Sequence, residues 1–60
     1  MTAEIQQLIK ENGQATVKFV NDQNLTISQL LQPTTDKFLV AKDGLGNKVI
    51  VNIDHILYIY

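Results

Sequence analysis

"DKFLVAKDGLGNKVIVNIDHILYIY" occupies residues 36–60, and its reading decides what the rest of the chain can be. "KFLVAK" and "KVIVNI" are short apolar runs rich in β-branched and aromatic residues, the composition of strands. "DGLGN" between them supplies two glycines for a hairpin turn. Asp54 and His55 interrupt the pattern, and "ILYIY" resumes it as a further strand. Ile56, Leu57, Tyr58, Ile59 and Tyr60 are apolar on both faces, whereas a strand with one wet face alternates. That strand is therefore expected to be buried on both sides or laid against the edge of a neighbouring chain.

Upstream, the same period of two continues. In "QPTT", Pro33 has no N–H to donate and breaks the ladder. "LTISQLL" alternates through Leu25 and Ile27, and "NDQN" has the residue types of a tight turn. In "QATVKFV", Ala15, Val17 and Phe19 point one way while Thr16, Lys18 and Val20 point the other. Before Gly13 the period becomes 3.6: in "TAEIQQLIKEN", Ile5, Leu8 and Ile9 form one apolar stripe. Thr2 is the expected N-cap, Glu4 suits the positive end of the helix dipole, and Gly13 is the expected stop. So short a helix is not stable alone and must cover something. The expectation is one domain, residues 1–60, with a helix over about 2–12 and five strands over about 14–60. It is mainly β, the strands curling into a small antiparallel barrel to limit open edges.

Composition narrows the function. A chain of 60 residues buries only about 60% of its unfolded surface. It has no cysteine for a disulfide or a zinc site, yet 45% of it is apolar. Small scaffolds without such staples often associate with copies of themselves, so a homo-oligomer is expected. Five lysines and no arginine face six acidic residues, for a net charge of -1, which is not the strongly basic footprint of most nucleic-acid binders. No apolar run approaches the roughly 18 residues of a membrane span, and "MTAEIQQLIK" lacks the basic start and apolar core of a signal peptide. A cytoplasmic protein without a membrane partner is expected. His55 is the single histidine and the only conventional base, so neither a metal site nor a catalytic constellation is expected. Gly44 and Gly46 lie in a hairpin with no helix after it, unlike a phosphate-binding loop. The expectation is a non-enzyme without a cofactor.

The helix, the five strands and the length resemble the Sm-like (SH3-type) fold, and within it the bacterial Hfq family of RNA-binding ring proteins. "TVKFVN" at residues 16–21 is similar to that family's first strand and its valine–asparagine turn, and "DKF" at residues 36–38 to the opening of its third strand. "VNIDHIL" falls where the family carries its Tyr-Lys-His-Ala-Ile signature. The resemblance implies a homo-oligomeric ring, six subunits in that family, whose fourth and fifth strands pair between neighbours. It also implies binding of single-stranded RNA and a role in post-transcriptional regulation. Carried over by position, Lys37 and Phe38 match residues bordering a uridine pocket, where an aromatic ring stacks on a base. The family's Lys-His pair falls on Ile53 and Asp54 by straight counting, and one extra turn residue puts His55 on the histidine and Asp54 on the lysine. Its second-strand glycine corresponds to Ile27, and the segment around Pro33 is two residues longer.

Lys37, Phe38 and His55 are thus the candidate RNA contacts. Val49, Val51, Ile56, Tyr58 and Tyr60 are the candidate subunit-interface residues. Plainer roles stand beside these: Phe38 as a core or interface aromatic, His55 as a turn or subunit contact, the five lysines as a solvated surface, and Asp36 as an Asx-type cap opening the third strand. The tyrosine hydroxyls suit a half-wet interface. The near-neutral charge and the missing Lys-His pair leave open a second function: a self-assembling barrel that serves as a structural or protein-interaction module and binds another protein instead of RNA.

Overall fold

The computed structural model describes residues 1–32 and 35–60; the break assigned to Pro33 lies outside the described residues. The chain runs through helix α1 (Thr2–Asn12), strands β1 (Ala15–Phe19), β2 (Asn24–Leu30), β3 (Phe38–Asp43) and β4 (Lys48–Asn52), a 3-10 turn at Ile53–His55, and β5 (Ile56–Ile59). One antiparallel sheet holds all five strands in the order β4-β3-β2-β1-β5. The architecture is mainly β with one N-terminal helix, as its periodicities require.

Connectivity explains the curvature of the sheet. β4 and β5 lie at opposite ends of the strand order, yet only Ile53–His55 joins them. Five flat strands would put their outer members about 19 Å apart, while three residues of 3-10 helix rise about 6 Å. The sheet must therefore roll until its ends approach. Register shifts at Lys18/Phe19 and between Ile27 and Gln29 supply the bends, the usual effect of an extra residue in one strand. The rolling stops short of the expected closed barrel. β4 pairs with β3 and β5 with β1, and no ladder joins β4 to β5 among the described residues. The short turn sends the chain across the open end to β1, where Val20 N–H donates to the His55 carbonyl at 2.9 Å. Among the described residues, no further strand pairs with the outer edge of β4 or of β5.

The core lies on the concave face. Ile5, Ala15, Val17, Ile27, Leu39, Ala41 and Val51 form it, with Phe19, Leu25, Val49, Ile56 and Ile59 packed around them. Ile5 is the one fully buried residue of α1, which packs over β1 and β2. Its start differs from expectation. Met1 holds the N-cap position, no side chain caps the helix, and Thr2 is already helical. The first turn is held instead by Ile5 N–H donating to the Met1 carbonyl and by the terminal ammonium 3.0 Å from Glu4. That ammonium donates to the Glu4 carboxylate and holds its pKa below the ordinary value. Gly13 ends the helix as expected, left-handed at φ 82°, donating to the Ile9 carbonyl.

Candidate nucleic-acid interface

Lys37 and Phe38 enter β3 from a short turn built by Thr35. The Thr35 Oγ1 accepts from the N–H groups of Lys37 (3.2 Å) and Phe38 (3.0 Å), and Thr35 N–H donates to the Phe38 carbonyl. A hydroxyl caps this turn, where the expected cap was the Asp36 carboxylate. The Lys37 carbonyl accepts from Ile53 N–H at 2.9 Å, fastening the entrance of β3 to the 3-10 turn. Asn52 Oδ1 in turn accepts from Asp54 N–H and caps that turn. Lys37, Phe38, Asp54 and His55 are all exposed, Phe38 by 45%. One end of the sheet therefore carries a cation, a half-exposed aromatic ring and an imidazole on backbone that hydrogen bonds hold in place.

These three candidates share an end without sharing a hollow. His55 lines a cavity of about 400 Å³ with Phe19, Val20, Asn21 and Gln23. Asp36 and Ile53 line another, of about 380 Å³, with Met1, Thr2 and Thr35. The β1–β2 turn that walls the first is fixed by Asn21 Oδ1, which accepts from Gln23 N–H, and by Asp22 in the left-handed region at φ 75°. Lys18 Nζ lies 2.8 Å from Asp22 Oδ1. That hydrogen bond raises the Lys18 pKa and lowers that of Asp22.

The candidate interface residues divide. Val51 is 5% exposed, and it, Val49 and Ile56 spend their side chains on their own core. Tyr58 and Tyr60 lie outside, their rings 5.8 Å apart, more than half exposed. Leu57 of the same two-faced strand is exposed, and so is Ile50, which is not among the candidates from the sequence. Ile50 alternates with Val49 and Val51, so once those two turn inward it must face out. Among the described residues no cluster of three potential metal ligands occurs, and no helix is long and apolar enough to cross a membrane. No family model matches the chain, and neither a curated protein nor a solved structure is significantly similar to it.

Proposed function

We propose that this chain is a ring-forming Sm-like protein that binds single-stranded RNA at the end of the sheet bearing Lys37, Phe38 and His55. The observation that carries the reading is the pair of apolar edges, β4 and β5, at the two ends of one rolled sheet, neither paired with a further strand among the described residues. Exposed edges template further pairing. Two different edges on one chain give a head-to-tail contact, which closes into a ring when the rotation allows. A ring repeats each exposed Lys37 around one face and so concentrates positive charge that a single near-neutral chain lacks. Phe38 offers a base-stacking surface, worth about 1–3 kcal/mol per base and tolerant of sequence.

The test is fluorescence anisotropy with U-rich and A-rich oligonucleotides at low salt. Binding should weaken as salt rises, because phosphate contacts release counterions. Phe38→Ala should lower affinity by about 5- to 150-fold, and Asp54→Lys should raise it by removing an anion beside the phosphate path. Absence of binding at low salt would refute the RNA reading.

One observation favours the alternative of a protein-interaction module. Asp36 and Asp54, both exposed, sit directly beside Lys37 and His55 in the chain and place negative charge at that end of the sheet. Native mass measured with and without nuclease separates the two, since co-purified RNA supports the first reading and an RNA-free assembly that ignores both oligonucleotides supports the second.

A further inference from the structure

A groove of about 470 Å³ runs between α1 and β5, lined by Ala3, Glu4, Gln7, Leu8, Glu11 and Ile59. Its floor is apolar and its rim acidic. Glu4 is engaged by the chain's own amino terminus, whereas Glu11 has no ion pair among the described residues. At the other end of the sheet, β4 has the complementary features. Ile50 is 64% exposed. Lys48 stands directly across from Lys42 on β3, a like-charge pair that is destabilising until an anion joins it.

The ladder bonds show how these two edges can meet. Thr16 and Tyr60 exchange both backbone hydrogen bonds, so Ile59, one residue earlier and opposite Val17, points its N–H and C=O away from β1 to the open edge. On β4, Asp43 N–H donates to the Asn47 carbonyl and Ile53 N–H to the Lys37 carbonyl. The pairs bonded to β3 are therefore Val49 and Val51, and Lys48, Ile50 and Asn52 turn their backbone groups outward. Residues that exchange hydrogen bonds across an antiparallel pair carry their side chains on the same side. If Ile50 of one copy pairs with Ile59 of another, its side chain falls on the side of Ile59, over the groove. Antiparallel direction then carries Lys48 past the Tyr60 end of β5. That is the end where α1 finishes, because Gly13 and residue 14 lead straight into β1 beside Tyr60. Glu11 is the acidic side chain in the last turn of α1, and it lines the groove at that end.

We propose that the groove between α1 and β5 receives the β4 edge of a second copy, with Ile50 of that copy filling the apolar floor and its Lys48 paired to Glu11. This rests on the edge-to-edge assembly proposed above and adds its register and its contacts. Ile50, Lys48 and the groove become three parts of one joint, and the helix becomes half of a socket as well as a cover for the core.

Sedimentation velocity on the full chain, over a range of protein concentrations, tests it. Ile50→Asp should weaken association by about 30-fold, the equivalent of losing one buried isoleucine. Lys48→Glu and Glu11→Lys should each weaken it by about fivefold, and the double variant Lys48→Glu/Glu11→Lys should recover most of the loss, as coupled partners do. All three positions are exposed, so the monomer fold should persist, and far-UV circular dichroism checks this. Should Ile50→Asp unfold the chain, Ile50→Thr replaces it. Assembly equal to wild type in the Ile50 and Lys48 variants would overturn the joint while leaving ring formation standing. Failure of the double variant to recover would overturn the Lys48–Glu11 pairing. A wild-type chain that stays monomeric at every concentration would refute the assembly itself.

Discussion

Ile5→Ala probes the helix as a structural part. Ile5 is the one α1 side chain with no solvent exposure, and it sits in the central cluster with Val17, Ile27 and Leu39. The substitution removes three carbons, worth about 2.4 kcal/mol at about 0.8 kcal/mol per buried carbon. The cavity left behind adds to this, because β1 and β2 are tied into the ladder and cannot collapse onto an alanine. Isoleucine-to-alanine changes in such sites cost about 2–5 kcal/mol, and about 3 kcal/mol is the expectation here. A chain of this length has about 3–9 kcal/mol in total, so the variant should lose a third or more of its stability. Urea unfolding followed by far-UV circular dichroism, at one fixed protein concentration so that association does not shift the midpoint, measures the change. A loss below about 1 kcal/mol would show that α1 is not anchored through Ile5, and the account of the core would fail with it.

Two further outcomes concern the turns and the surface charges. Gly46 holds φ 87° with open space around it, while Gly44 is not left-handed and a Cβ there would meet Thr26 at an ordinary 3.7 Å. Gly46→Ala should therefore lower stability by about 1 kcal/mol through backbone strain alone, and Gly44→Ala should leave the melting temperature nearly unchanged; the reverse order would contradict the hairpin geometry. Asp22→Asn keeps a residue type that tolerates the left-handed backbone and removes the Lys18 ion pair. Because the Asp22 pKa is lowered, its contribution is present above its ordinary value of 3.8 and lost as pH falls through the lowered value. Because the Lys18 pKa is raised, the same pair holds below 10.5 and is lost as pH rises through the raised value. The difference between wild type and Asp22→Asn should be flat from about pH 5 to about pH 9, vanish at both extremes, and shrink in high salt. Melting curves across pH would expose a single-sided profile, which would contradict the pairing.

The helix and the strands were legible because each element advertises its period. Ile5, Leu8 and Ile9 repeat as a helix stripe, while Ala15, Val17 and Ile27 alternate as strands, and all of them bury the faces their spacing assigns. The hairpin at Asp43 was legible for a chemical reason. Its carboxylate accepts from the N–H groups of Leu45 and Asn47, and Gly46 supplies the left-handed step. Capping was less legible. Thr2 and Asp36 have suitable side chains, but whether a hydroxyl or carboxylate meets a free N–H depends on the path of the chain. At the third strand Thr35 is the residue in place. The candidate interface was half legible. Tyr58 and Tyr60 face outward, but Val49, Val51 and Ile56 turn inward, because a mixed apolar strand does not declare which of its faces meets its own core.

The amino-acid order alone determined the helix, the five strands and their succession, since propensity, period and turn chemistry act over a few neighbouring residues, whereas the 3-10 turn at Ile53–His55 emerged only in the structure. Only the tertiary structure decided that the sheet rolls without closing, and that α1 and β5 flank a groove while Ile50 stands exposed on the far edge. Those outcomes arise between residues far apart in the chain. They follow from bulges, ladder phase and a three-residue link between distant strands, none of which leaves a local mark in the sequence.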